Sequence, residues 1–254
     1  MALTTDEWSD VIFYFEFMAP KRGFGLDVLK EPDRVPLQQK KELITKFCTE
    51  KMYMDEDEVE PTLREKYAVE GRSIRAALNI VRNWKQFLLS RLTRQNLQRG
   101  SAFRNCAVGE LDASLVLWRE KAANLKLNVV PNFIDNTQAG GVEMWISYKD
   151  IQHGAIPTLF ALGHEFGHQT DFAIREIYPN VLKSLYADWS KDNHTSWEYY
   201  ADSFAIIFLT INSGDPERLF ASTEGYMGDT PDDGTHPAGF LRVNQMREAQ
   251  KLAI

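Results

Sequence analysis

Two histidines four residues apart are the side chains of this chain best arranged for chemistry: His164 and His168, with Glu165 directly after the first. Positions i and i+4 of an α-helix project from one face, so both imidazoles can bind one metal ion. From the next position, the Glu165 carboxylate can reach a water molecule on that ion without being a ligand. The spacing predicts a metal site with an acid–base group beside it. The alternative is a core helix with two hydrogen-bonded histidines.

The surrounding residues predict the helix that must carry this motif. Pro157 suits a first helical turn. Apolar residues follow it and give the helix a surface to bury. Gly163 and Gly167 flank the histidines, although each glycine costs a helix roughly 1 kcal/mol relative to alanine. Two glycines in one helix therefore predict a close approach by other backbone.

A catalytic zinc takes three protein ligands and leaves one position open. The downstream candidates for the third ligand are His194, Glu198 and His236. We favour Glu198, because it begins a largely apolar stretch, 198–209, that predicts a buried helix, and Asp202 shares its face. Two carboxylates on a buried face need cationic partners: zinc for Glu198, and the ring N–H of a ligating histidine for Asp202. The alternative is that both acids cap or solvate the start of the helix.

The pattern H-E-x-x-H at 164–168 followed by E-x-x-x-D at 198–202 resembles that of the gluzincin zinc peptidases. The resemblance implies that His164, His168 and Glu198 bind one Zn²⁺ per chain. It further implies that Glu165 is the general base, which activates a zinc-bound water, and that Asp202 supports a ligand histidine. The implied fold is α+β and mostly helical, a zincin-like catalytic core with a small sheet over the active-site helix.

A third segment, Thr235-His236-Pro237 with Arg242, is similar to the T-H-P-x-x-x-x-R segment of some gluzincins. Lit-type phage-exclusion peptidases and heat-shock-associated membrane zinc proteases carry such a segment, and ImmA/IrrE-type peptidases are more loosely similar. The resemblance covers about residues 155–245 and implies that His236 hydrogen-bonds the oxyanion formed during catalysis. Alternatively, Thr235 caps a helix in which Pro237 occupies the first turn. Both can be true together.

The segment before the motif helix predicts a substrate-binding strand. Gly141 precedes the alternating residues 142–148, and gluzincins usually pair the substrate peptide with an edge strand. We therefore expect this strand to be that edge, with substrate contacts from Val142, Glu143, Met144 and Trp145. An ordinary half-buried strand is the alternative.

Composition limits the class of protein. The chain has 254 residues, 44% of them apolar, a net charge of −7 and only two cysteines. No run of 18 apolar residues predicts a membrane span, and the acidic start at Asp6 and Glu7 does not resemble a secretory signal. The cysteine count does not indicate a disulfide framework. These features predict a soluble, cytoplasmic protein and argue against generic nucleic-acid binding.

Positive charge is concentrated between Arg64 and Arg104, where ten Lys or Arg stand against two Glu. Most of this region predicts one long helix, 62–99, with Arg72, Arg75 and Arg82 on its polar face. The preceding acidic residues, 55–61, predict a break or loop. The basic face is a solvated surface, a surface that contacts the acidic remainder of the chain, or a docking patch for an acidic partner or a nucleic acid.

The chain is accordingly divided into a helical region of unknown role, 1–109, which recognises substrate or gates the cleft, and a zincin-like metallopeptidase domain, 110–254. The expected function is a soluble bacterial zinc metalloendopeptidase that hydrolyses a protein or peptide substrate. Two alternatives stay open. One is a zinc-containing regulatory or binding module that does not cleave, and the other is a zinc hydrolase of a non-peptide substrate.

Overall fold

The computed structural model describes residues 2–22, 35–174, 194–234 and 236–253. Thr235 and the side chain of His194 lie outside this part. In chain order the helices and strands are α1 Thr5–Arg22, α2 Leu37–Glu50, α3 Glu56–Thr62, a π-helical turn Leu63–Ala68, α4 Val69–Arg91, α5 Arg94–Leu97, α6 Ser101–Arg104, α7 Val108–Asn124, β1 Lys126–Val130, β2 Gln138–Gly140, β3 Glu143–Ser147, α8 Tyr148–Ile151, α9 Ala155–Ile174, α10 His194–Asn212, α11 Pro216–Met227, α12 Gly239–Gln250 and a 3₁₀ turn Lys251–Ala253.

The prediction of a mostly helical α+β fold with a small sheet is confirmed. The sheet has the order β1-β3-β2. Strand β1 pairs parallel with β3 from Lys126 opposite Glu143 onward, and β2 pairs antiparallel with β3. Strand β3 is therefore the central strand. The prediction that it is the substrate-binding edge is wrong, because its backbone is already paired on both sides.

The motif helix α9 packs against α10 at a close crossing that two glycines permit. A Cβ carbon at Gly167 would lie 2.8 Å from the Ala201 Cα and 2.9 Å from the Ala201 carbonyl oxygen. A Cβ at Gly163 would lie 3.3 Å from the Ala205 Cβ. The prediction of a close backbone approach is confirmed at Gly167. The missing side chains allow the two helices that carry the candidate ligands to come together.

Helices α1 and α4 form a second close pair. A Cβ at Gly71 would lie 2.0 Å from the Asp10 carbonyl oxygen, so only glycine fits this crossing. Helix α4 also contacts α9, and the Phe87 and Phe208 rings lie 5.9 Å apart where α4 meets α10. One continuous hydrophobic core thus includes side chains from both regions of the chain.

The basic stretch is less regular than predicted. The acidic residues 56–62 form helix α3 rather than a loop, the π-helical turn follows, and α4 ends at Arg91. Arg72 and Arg75 are exposed, as predicted, and both bind the Asp10 carboxylate at 3.1 and 3.3 Å. Part of the basic face of α4 therefore forms ion pairs within the molecule, with Asp10 of α1. None of the described helices is long and apolar enough to cross a lipid bilayer.

Candidate metal centre

Helix α9 directs both motif histidines to one point. The Nε2 atoms of His164 and His168 lie 3.0 Å apart, with the ring centroids at 4.6 Å and the ring planes perpendicular. His164 is buried and His168 is partly buried. The i, i+4 spacing predicted that the two histidines share a face, and both lie on the α9 surface that faces α10.

Helix α10 brings a carboxylate to the same point. Glu198 Oε2 lies 3.2 Å from His164 Nε2, and Glu198 Oε1 lies 3.3 Å from His168 Nε2. Oε2 is fully buried, and no described residue forms a hydrogen bond with it. A buried carboxylate oxygen without a hydrogen bond is costly unless a cation compensates for it. The nearest polar atoms are the Nε2 atoms of His164 and His236, which can donate an electron pair to a metal, and the Arg242 guanidinium lies farther away at 3.8 Å.

Asp202 orients His164 from behind. His164 Nδ1 donates to Asp202 Oδ1 at 2.8 Å, which leaves the Nε2 lone pair directed at the shared point. Arg242 on α12 in turn holds Asp202 through two hydrogen bonds, from Nε to Oδ2 and from a terminal nitrogen to Oδ1, both 2.7 Å. Asp202 is completely buried and Arg242 nearly so. Helix α12 is therefore linked to His164 of α9 through the buried Asp202 carboxylate.

His236 also reaches this point. Its Nε2 lies 3.4 Å from Glu198 Oε2, and its backbone N–H donates to Asp233 Oδ1 at 2.6 Å. One ligand atom each from His164, Glu198 and His236 lie within 4.8 Å of one another, so these three side chains could hold a metal ion. The structure thus brings His164, His168, Glu198 and His236 together, and leaves open which of the histidines would complete a ligand set with Glu198.

The charges of the centre favour a cation. Burial raises the pKa of the Glu198 carboxyl, but His164 and His168 beside it outweigh burial and hold this pKa below its usual range. Burial likewise opposes a charge on His164, yet its contacts with Asp202 and Glu198 prevail and raise its pKa. At His168 burial prevails, and its pKa is lowered. A proton on His164 would therefore compete with a metal ion held at this centre, because ligating histidines must be neutral.

Glu165 lies beside the centre and lines a cavity of about 450 Å³ together with His164, His236 and Arg242. Its carboxyl is 9% exposed. Burial raises the pKa of Glu165 to about 7, with the negative charges of Glu198 and Asp150 adding to the rise and the positive charge of His164 opposing it. A carboxyl of this kind can take up and release a proton near neutral pH.

The predicted substrate contacts are not at this cavity. Met144 is fully buried, and Glu143 accepts a hydrogen bond from Gln169 Nε2 at its carbonyl oxygen. Val142 and Trp145 are partly buried and, like the other two, do not line the cavity. The residues that do line it from this region are Asn136 and Thr137, which directly precede β2. Strand β2 is an outer strand of the sheet and contacts α9.

Sequence reasoning did not find a buried polar cluster on the far side of the cavity. Asp150 is 3% exposed and accepts hydrogen bonds from the Thr137 backbone N–H at 2.8 Å, the Thr137 hydroxyl at 2.6 Å and the Tyr226 hydroxyl at 2.5 Å. In the sequence, Asp150 looks like an ordinary acid in a short helix that Ser147 caps. Its partners come from distant segments, so no local spacing could indicate the cluster.

No protein-family model matches the chain, and no curated protein or solved structure matches it either. The centre must therefore be interpreted from its own geometry.

Proposed function

We propose that this chain is a zinc-dependent endopeptidase, with His164, His168 and Glu198 as the metal ligands and Glu165 as the general base. The observation that carries the proposal is the buried Glu198 Oε2, which has no hydrogen bond among the described residues and lies 3.2 Å from the Nε2 lone pair of His164. Imidazole nitrogens and a carboxylate oxygen that converge on one point are typical of a metal site. The cavity that holds Glu165 opens beside them.

The donor set fits zinc. Zinc binds imidazole nitrogen at about 2.0–2.1 Å and carboxylate oxygen at about 2.0–2.2 Å in tetrahedral geometry, so neighbouring ligand atoms should lie about 3.3 Å apart. The separations of 3.0 Å between the two Nε2 atoms, and of 3.2 and 3.3 Å from these to the Glu198 oxygens, are close to this value. Two imidazoles and one carboxylate are also the ligands found in one class of catalytic zinc sites.

Each residue then has a part in peptide hydrolysis. His164, His168 and Glu198 would hold the zinc ion, which would supply Lewis-acid chemistry and lower the pKa of water towards about 7. Asp202 and Arg242 keep His164 in the orientation and tautomer that a ligand needs. Glu165, which lines the cavity beside the centre, accepts the proton of the attacking water and delivers it to the leaving amine. His236 donates a hydrogen bond to the carbonyl oxygen as negative charge develops on it.

The substrate peptide would lie along β2 rather than β3. The outer side of β2 has the unpaired backbone groups that strand addition requires, and Asn136 and Thr137 connect this edge to the cavity. With two cysteines in 254 residues, we place the activity in a reducing cytoplasm.

One observation favours a second candidate function. His236 can share a metal ion with His164 and Glu198. If His168 is a ligand as well, zinc has four protein ligands and no open position, which is the arrangement of structural sites. The chain would then be a zinc-containing regulatory or binding module that does not cleave peptides.

Two measurements test the proposal. Zinc content measured by mass spectrometry should be one ion per chain, and products identified in cell extract should appear with the wild type and not with Glu165→Gln. Glu224→Gln, a glutamate on α11 whose side chain is 43% exposed, is the matched control and should cleave like the wild type. Wild-type turnover by zinc-loaded Glu165→Gln would refute the mechanism.

A His236→Ala variant separates the two candidate functions. A catalytic His236 predicts near-normal zinc affinity with a loss of turnover of about 10²-fold or more. A ligand His236 predicts a large loss of zinc affinity, and no cleavage by the wild type.

A further inference from the structure

The floor of the cavity beside Glu165 carries a second buried carboxylate, Asp150. Its two oxygens accept three hydrogen bonds from Thr137 and Tyr226. An ionised carboxylate offers about four acceptor positions, so one stays available on Oδ1, the oxygen that has a single donor. Because Asp150 lines the cavity, this position can meet a bound molecule.

Asp150 has no ion-pair partner among the residues that the structure describes. Lys149 also lines the cavity, but its amine donates to Asn136 Oδ1 at 2.5 Å. Arg242 is held by the two oxygens of Asp202. A buried carboxylate without a counter-ion is unfavourable, and a cation from outside would relieve this cost.

The rest of the cavity has the shape and charge for a long cationic side chain. Its walls include the apolar side chains of Phe160, Ala161, Met227 and Pro231. Its described lining contains the carboxylates of Asp150, Glu165 and Asp233, the imidazoles of His153, His164 and His236, and the cations of Lys149 and Arg242. Asp233 is paired with His236 and Arg242 with Asp202, so Asp150 is, with Glu165, a buried carboxylate that has no ion pair among these described residues. Lysine and arginine place an apolar stem along such walls and a charge at the end. A volume of about 450 Å³ is within the range of ligand pockets.

We propose that this cavity is the specificity pocket of the enzyme and binds an arginine or lysine side chain of the substrate next to the scissile bond, with Asp150 as the residue that recognises the cation. This inference rests on the proposed function, since it names the substrate class of the same site. Tyr226 and Thr137 are positioning residues, because they hold the Asp150 carboxylate towards the cavity.

The test compares arginine with citrulline, which has almost the same shape and no charge. A position-scanned peptide library carries either residue at each position, and the zinc-loaded wild type should cleave one arginine series at least ~30-fold better in kcat/KM than its citrulline counterpart. In Asp150→Asn this ratio should fall to about 3-fold or less, while zinc content stays that of the wild type. Asp112→Asn, far from the cavity and paired with Arg94, is the control and should keep the full ratio.

A second variant separates recognition from structural support. Tyr226→Phe removes one donor and keeps the Asp150 charge, so the preference for arginine should persist. Circular dichroism checks that each variant folds. If Asp150→Asn does not fold, the arginine-to-citrulline ratios of the wild type and of Tyr226→Phe test the pocket assignment instead. A ratio near one at every position, or one unchanged in a folded Asp150→Asn, overturns the pocket assignment while the peptidase stands.

A peptide-binding measurement distinguishes failure of the pocket proposal from failure of the peptidase proposal. Zinc-loaded Glu165→Gln should bind the arginine peptide more tightly than the citrulline peptide by calorimetry. If the wild type cleaves nothing while this Asp150-dependent binding is found, the peptidase proposal fails and the pocket stands. If neither cleavage nor binding is found, both are refuted.

Discussion

Replacement of Glu165 by glutamine measures how strongly the folded protein resists a charge at this position. The carboxyl is 9% exposed, and burial is the main reason that its pKa rises from the ordinary value of 4.5 to about 7. At about 1.4 kcal/mol per pKa unit, the ionised form is about 3 kcal/mol less stable in the folded than in the unfolded chain. Because the folded pKa is the higher one, the stabilising contribution of Glu165 is complete below pH 4.5. It is lost as the pH rises through about 7.

Glutamine is neutral throughout, so the variant should gain in stability over the wild type as the pH rises. We expect the free energy of unfolding of Glu165→Gln to exceed that of the wild type by about 1 kcal/mol at pH 5 and by about 3 kcal/mol at pH 8. The assay is urea unfolding followed by circular dichroism, after treatment with a chelator, because a bound cation would stabilise the carboxylate. The exposed Glu224→Gln should show no such trend. A Glu165→Gln difference that does not change with pH would refute the reasoning from burial.

Three further substitutions test other contacts of the centre. Gly167→Ala should lower the free energy of unfolding by roughly 2–3 kcal/mol or more, since its Cβ would overlap the Ala201 backbone; Gly109→Ala, which meets nothing within 4 Å, should not be destabilising in urea unfolding. Arg242→Met should cost about 3–5 kcal/mol by the same measurement, because it removes the guanidinium from the buried Asp202 and leaves His164 as the partner of this carboxylate. A loss below about 1 kcal/mol would contradict this. Asp202→Asn should weaken zinc binding about 10–100-fold in a chelator competition titration, and unchanged affinity would remove Asp202 from its orienting role.

Local patterns in the sequence predicted the helices of the centre well. The apolar period and the i, i+4 spacing of His164 and His168 depend on contacts within one helix turn, and they predicted α9 and its ligand face. The pairing of Asp202 with His164 followed from the same spacing on α10 together with the need for a partner. The glycine at 167 predicted a close approach, which the crossing with Ala201 confirms.

Features that depend on distant segments could not be predicted in this way. The alternation of 142–148 predicted a strand, but nothing within that segment indicates that β1 and β2 lie on both sides of it. The acidic residues 56–62 suggested a loop, and yet acids are favourable in a first helical turn and Val59 is buried. Asp150 could not be recognised, because Tyr226, 76 positions later, completes its cluster.

The contact of α4 with α9 makes the motif helix depend on the first region of the chain. One wall of the motif helix is built by α4, which belongs to the first region of the chain, and the Phe87 ring extends the same contact to α10. A fragment that begins at residue 110 would expose this wall to water and would relax the spacing of the ligands. Changes in this wall should therefore reach the helix that carries His164 and His168, although neither residue belongs to the first region.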